Sequence, residues 1–216
     1  MGRKIVIVGD YGSGKTEFSL NLAKTLAGQG KLVLVDLDIV NPYFRSREAT
    51  ELLESMGVEV VYNRDYRTAD LPALSPRIDA VLSGPETVIL DVGGDGGAVV
   101  LGRYRPLLLK QQADIWLVVN CMRPFTADPA GIINAARRIE GKARLSITAL
   151  INNTNLGRET QADHLRHGAE ILARASAQMG VPVLFHCARP HLIPHLREFG
   201  DSLFAMELSL FPADII

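Results

Sequence analysis

The sequence is short of cysteine, of net charge and of long apolar runs, and each shortage closes off a class of protein. Its two cysteines, Cys121 and Cys187, form no Cys-x-Cys or Cys-x-x-Cys pair, which leaves no disulfide framework and leads us to expect a reduced, cytoplasmic compartment. The formal charge is −1, so no nucleic-acid partner is expected. No apolar run approaches the roughly 18–20 residues of a membrane span. Ile5–Val8, behind Met1–Lys4, is too short for the core of a secretion signal, and none is expected. Internal repeats and low-complexity stretches are also missing. What remains is apolar enough to fold: 47 % apolar against 22 % charged residues excludes a disordered chain. A length of 216 residues suits one domain, taken as residues 1–216.

Short β-branched runs alternate with helix-like stretches. Lys4–Val8, Leu32–Asp36, Thr87–Asp91, Ile115–Asn120, Ser146–Asn152 and Val181–Phe185 read as strands, with Val58–Val61 as an added one. Most are apolar at successive positions, the pattern of strands covered on both faces. Thr16–Ala27, Ser46–Met56, Val99–Gln112, Pro129–Glu140 and Glu159–Met179 read as helices. In the first, Phe18, Leu22 and Leu26 recur every fourth residue before Gly28 and Gly30 stop it. This alternation predicts an α/β fold, a doubly wound and mostly parallel sheet of about six or seven strands with helices on both faces. Tyr62–Pro85 is the least regular stretch, read as a loop with short helical pieces. The tail from Asp201 to Ile216 carries Leu203, Phe204, Met206, Leu208, Leu210 and Phe211 and is expected to pack on the body; Asp201, Glu207 and Asp214, with no Lys or Arg, suit a membrane surface poorly.

Gly9-Asp10-Tyr11-Gly12-Ser13-Gly14-Lys15-Thr16 fits G-x-x-x-x-G-K-[ST] and lies where that pattern works, directly after an apolar strand and opening a helix. Gly9, Gly12, Ser13 and Gly14 shape a nest of backbone N–H groups for phosphate oxygens at a helix N-terminus. Lys15 reaches the β- and γ-phosphates, and the Thr16 hydroxyl is a Mg²⁺ ligand. A P-loop needs acids to work with. Asp91 ends an apolar strand, where ligands bind in open α/β sheets, and is read as the Mg²⁺-side acid. In Val92-Gly93-Gly94-Asp95-Gly96-Gly97 the glycines form a loop able to rearrange around a γ-phosphate, with Gly94 as the N–H donor. Asp36 and Asp38 share one side of their chain by alternation. Asp38 is preferred for the attacking water and Asp36 for the metal. Capping or loop roles are the plainer alternative for each acid.

Those residues, with the Asn after Leu150-Ile151-Asn152, resemble the MinD/ParA/NifH-like (CobQ/CobB/MinD/ParA) superfamily of P-loop proteins over most of the chain. The resemblance implies that Asp38 positions the hydrolytic water, Asp91 supports Mg²⁺, and Asn153 recognises adenine. It also implies that Arg189 and Pro190, in Cys187-Ala188-Arg189-Pro190, form the other wall of the purine pocket. Many members carry a lysine directly after the first P-loop glycine, which reaches the partner's nucleotide across a dimer. Asp10 stands there instead, and a carboxylate cannot stabilise a transferring phosphoryl group. Dimer-dependent activation would then call on another cation, Arg45 or Arg47. An iron–sulfur cluster shared between subunits is not expected without paired cysteines.

Asn152-Asn153-Thr154-Asn155 lacks the Lys and Asp that guanine-specific P-loop proteins commonly place there, and Asn both donates and accepts, so ATP is expected over GTP. His186, Cys187, His191 and His195 form a His/Cys-rich patch in which His191 and His195 would share a helix face, although Pro190 and Pro194 interrupt it. Cys121 reads as a small buried residue. The function expected is a Mg·ATP-binding P-loop ATPase, binding ATP and ADP, that acts as a regulatory or assembly switch, as a homodimer with an unidentified protein partner. Two alternatives stay open. One is a small-molecule kinase or ligase resembling dethiobiotin synthetase, with Arg64 and Arg67 in its acceptor pocket. The other is a nucleotide sensor that does not hydrolyse, for which Asp10 argues.

Overall fold

The computed structural model describes residues 2–37, 47–62 and 76–208, leaving aside the side chains of residues 47–49 and 95. The first half of the chain runs β1 (Lys4–Val8), α1 (Lys15–Leu26), β2 (Leu32–Asp36), α2 (Arg47–Ser55), β3 (Val58–Tyr62), α3 (Pro76–Ser83) and β4 (Thr87–Asp91). The second half runs α4 (Gly94–Lys110), β5 (Asp114–Val119), α5 (Pro129–Ala143), β6 (Ala149–Asn152), α6 (Ala162–Met179), β7 (Val183–Ala188) and β8 (Leu203–Ala205). The described strands form one eight-stranded sheet in the order β3-β2-β4-β1-β5-β6-β7-β8, and every pair in it is parallel.

Period-two alternation sorts the strand side chains onto two apolar layers. On one face Ile5, Ile7, Leu34, Ile89, Trp116 and Val118 meet Phe18, Leu20 and Leu22 of α1 and Leu53 of α2. On the other, Val6, Val8, Val33, Val35, Val88 and Leu90 meet α3, α4, α5 and α6 through residues such as Ile78, Leu101, Ile132 and Leu172. The doubly wound arrangement is therefore as expected, with both layers buried.

Several boundaries differ from the sequence expectation for identifiable reasons. The described residues form eight strands, where about six or seven were expected. Val58–Val61 is a full member of the sheet, and Leu203–Ala205 adds a three-residue edge strand too short to show any periodicity. The tail does pack as far as it is described: Phe204 and Met206 are buried, and the Met206 N–H donates to Ala188 O at 2.8 Å. Part of Tyr62–Pro85 is the helix α3. The expected glycine loop at 93–97 is instead the first turn of α4, which begins at Gly94 rather than Val99; tertiary packing outweighs the low helix propensity of glycine there. His191 and His195 lie in a 3-10 segment, Pro190–His195, so they do not share an α-helix face.

Two helical glycines predict opposite responses to the same substitution. A Cβ on Gly168 of α6 would lie 2.0 Å from Thr154 Oγ1 and 2.7 Å from Asn152 Oδ1, whereas one on Gly141 of α5 would meet nothing within 4 Å. Gly168→Ala should destabilise the fold by about 1–3 kcal/mol through overpacking. Gly141→Ala should stabilise it by about 0.4–1 kcal/mol. Urea unfolding of the two variants beside the wild type checks both signs.

Candidate functional site

Because every strand is parallel, the carboxyl ends of β1, β2 and β4 open on one edge, and the loop Gly9–Gly14 runs from β1 into α1 there. Gly12 and Gly14 hold left-handed φ angles of 75° and 79°. Gly9 is needed for a different reason: a Cβ there would stand 2.7 Å from Val118 O on β5. The Ser13 N–H closes a turn onto Asp10 O at 3.1 Å. The N–H groups of Gly12, Gly14, Lys15 and Thr16 have no hydrogen-bond partner among the described residues. They stand at the N-terminus of a twelve-residue helix, whose dipole adds to their pull on an anion. Lys15 and Thr16, both buried, occupy the first turn of that helix.

The acids lie on the same face. Asp91 ends β4 in register with Asp36 of β2 and with Ile7 of β1, so the two carboxylates project side by side toward α1. Ser19 ties α1 to them: its hydroxyl lies 2.9 Å from Lys15 O and 3.2 Å from Asp91 Oδ1. The Leu37 N–H donates to Asp91 O at 2.9 Å, fixing the exit of β2. Two buried carboxylates of like charge repel in a low-dielectric interior. Both offer oxygen ligands, as does the Thr16 hydroxyl at the start of α1, and oxygen ligands are what a hard divalent cation such as Mg²⁺ takes. Gly94 supplies the first N–H of α4, one of the helix-end donors without an intrahelical acceptor.

Three side chains brace the loop from outside, and the sequence reading gave none of them that role. Asn153, after β6, is buried and donates Nδ2 to Ser13 O at 2.8 Å. That nitrogen would lie only 2.2 Å from a Cβ on Gly14, which explains the glycine from both sides. Arg123, after β5, donates Nε to Gly12 O at 3.2 Å. Arg138 of α5 pairs with Asp10, so the acid that follows the first glycine of the loop is held in an ion pair. Asn120 joins the two bracing loops: its Oδ1 accepts from the Met122 and Asn155 N–H groups at 3.0 and 3.1 Å, and its Nδ2 donates to Asn155 O at 3.0 Å. A polar residue ending an apolar strand was the available signal for Asn120. Arg138 gave none, since its partner lies 128 positions away.

A cleft of about 610 Å³ is lined by Arg158, Arg189, Pro190, His191, Met206, Glu207 and Leu208. Arg189 and Pro190 thus line a cavity together. Asn21 of α1 holds one lining residue in place, exchanging hydrogen bonds with the backbone of Glu207 at 2.8 and 2.9 Å. The His/Cys patch is not gathered into a metal centre: no group of three or more His, Cys, Asp or Glu side chains suited to a metal occurs among the described residues. His186 stacks on Phe199 and hydrogen-bonds Asn152, and burial holds its imidazole below its ordinary pKa. Cys121 and Cys187 are both buried, and burial pushes both thiols up. Asp38, Arg45, Arg64 and Arg67 lie outside the described residues, as does the Arg47 side chain.

No protein-family model matches the sequence, and no curated protein matches it either. Solved structures do. Chloroplast FtsY from Physcomitrella patens is similar with a TM-score of 0.54 at 18% identity, over 86% of this chain and 58% of that one. The cell division protein FtsY from Thermotoga maritima gives 0.53 at 20% identity, over 86% of this chain and 61% of that one. The signal recognition particle receptor FtsY from Elizabethkingia anophelis, solved in complex with GDP, gives 0.51 at 20% identity, over 86% and 56%. The chain spans about three-fifths of the length of the structures it matches. At this level of identity the likeness is one of fold: an α/β structure with a parallel sheet and helices on both faces.

Proposed function

We propose that the chain is a Mg²⁺-dependent P-loop nucleoside triphosphatase of the MinD/ParA/NifH-like kind, working as a regulatory or assembly switch. One observation carries the reading: a helix N-terminus with unpartnered N–H groups, Lys15 and Thr16 faces two carboxylates, Asp36 and Asp91, at the carboxyl edge of a parallel sheet. The loop and Lys15 bind the phosphates. Thr16, Asp36 and Asp91 hold the cation, whose charge offsets that of the phosphates and of the acids. Asp38, two residues beyond Asp36, orients the attacking water. The Gly94 N–H answers to the γ-phosphate, so its loss on hydrolysis releases the start of α4. Tyr11 of the loop and Phe125, two residues past Arg123, are exposed at 79 % and 80 %, and are the surface that a second copy or another protein partner would cover.

For the base, the reading is adenine. With Nδ2 committed to Ser13 O, Asn153 has its acceptor Oδ1 left to offer, which suits the amino group of adenine. Arg189 and Pro190, which line the cleft with Arg158 and Glu207, are read as the other wall of the base pocket. Guanine is the second reading, favoured by the GDP complex of the Elizabethkingia anophelis protein and by Glu207 in the cleft, a residue type able to accept two base N–H groups.

Isothermal titration with ATP, ADP, GTP and GDP, with and without Mg²⁺, tests the proposal. Tighter binding of ATP than GTP supports adenine, the reverse order selects guanine, and no binding of any of them ends the nucleotide reading. Lys15→Ala should weaken triphosphate binding about 10–100-fold, the range for a charged hydrogen bond. Asp91→Asn should abolish most of the Mg²⁺ dependence of binding while leaving Mg²⁺-free affinity within about threefold; an unchanged Mg²⁺ response removes Asp91 from the metal site. Asp38→Asn should keep nucleotide affinity and lower phosphate release, and full turnover would take Asp38 out of the mechanism.

A further inference from the structure

Two arginines brace the loop from outside, and they are not in the same electrostatic state. Arg138 faces Asp10, so its charge is offset where it stands. Arg123 makes no ion pair with any described residue; its Nε hydrogen bond goes to a neutral carbonyl, Gly12 O, at 3.2 Å. Its guanidinium lies flat against the loop, with Nε and Cζ 3.0 and 3.2 Å from where a Gly12 Cβ would be. Both Nη groups are without a described partner, and the side chain is exposed. The backbone beneath it is held firmly: the Arg123 N–H bonds Asn120 O at 3.1 Å, Thr126 N–H bonds Arg123 O at 3.0 Å, and Asn120 is anchored to the loop after β6. A planar, permanently charged fork on a rigid stem, beside a phosphate nest and not neutralised, suits the bidentate binding of phosphate oxygens.

We infer that Arg123 is the residue that stabilises the transferring phosphoryl group, supplied by the same chain and replacing the cation that Asp10 does not provide. The inference rests on the nucleoside triphosphatase reading above. In the reaction a water oxygen bonds to the γ-phosphorus while the bond from that phosphorus to the β–γ bridging oxygen breaks. The nucleoside diphosphate and inorganic phosphate leave, and the water's proton passes to the phosphate or the solvent. Negative charge grows on the bridging oxygen and the β-phosphate as the bond opens. A guanidinium that releases Gly12 O to meet that charge binds the transition state more tightly than the ground state, which is what lowers a barrier. Asp10–Arg138 then has a separate duty: it fixes the loop and keeps the Asp10 carboxylate turned away from the phosphates.

Arg123→Ala and Arg123→Lys in the full chain test this, with Asp10→Ala as a loop control. Two readouts are needed: nucleoside diphosphate affinity with and without aluminium fluoride, and steady-state phosphate release. The wild type should bind the diphosphate more tightly when aluminium fluoride is added. Arg123→Ala should lower diphosphate affinity no more than Asp10→Ala does, since each removes a brace of the same loop, but it alone should lose the fluoride-dependent gain and lower kcat about 100-fold or more with little change in KM. Arg123→Lys should recover only part of kcat, because it restores charge without the fork. A kcat within threefold of wild type for Arg123→Ala overturns the inference. So does a wild type that binds diphosphate without any gain from aluminium fluoride, although nucleotide binding would then stand. A specific activity that rises in proportion to protein concentration places the decisive cation on a second copy and overturns it too. A wild type that binds no nucleotide overturns the underlying reading and this inference together.

Discussion

Parallel strands cannot be joined by tight turns. Each return to the start of the sheet needs a crossover, here a helix, and each crossover leaves from the same edge. That constraint organises this molecule. It puts the exits of β1, β2, β4, β5, β6 and β7 side by side, so residues far apart in sequence meet at one rim. It also fills the interior of each strand with apolar side chains and leaves the first residues past each strand end as the place for polar chemistry. Asp36, Asp91, Asn120, Asn152 and Asn153 all stand at or just past a strand end, and all are buried.

A loop that turns its N–H groups toward a ligand must do something with its carbonyls, because buried backbone acceptors without partners are costly. Here two of them are met from outside the loop by side chains, Ser13 O by Asn153 and Gly12 O by Arg123. The bracing residues belong to the exits of β5 and β6, which Asn120 fastens to each other. The loop is thus the inner surface of a small polar network, and its shape depends on the exits of β5 and β6, far in sequence from the acids.

Much of this was legible in the sequence. Gly9–Thr16 announces itself because each residue type has a local task, and the apolar runs mark strands because both sheet faces are covered. The strand-end acids follow from the same pattern. What was not legible is pairing across distance. Nothing local says that Asp10 will find Arg138, or that Arg123 will lie on Gly12. Asn153 shows the same limit: its type and place suggested a base contact, yet its amide nitrogen is engaged by the loop itself. The glycine run after Asp91 misled in the other direction, since flexibility in isolation does not prevent a helix start that packing supports. The edge strand β8 escaped notice because three residues carry no period.

The chain's single tryptophan is placed where it has an optical consequence. Trp116 lies in β5, 3 % exposed, with its ring centroid 6.4 Å from that of Phe18 and 5.9 Å from that of Phe185. Phe18 sits one turn into α1, just behind the phosphate loop, and also touches Phe204 of β8. The Arg3 guanidinium covers the ring at 5.6 Å from its centroid. Any shift of α1 against the sheet therefore alters the packing around the one strong indole emitter of the molecule. The protein carries its own fluorescent gauge of the helix that opens the nest, and needs no attached label to read it.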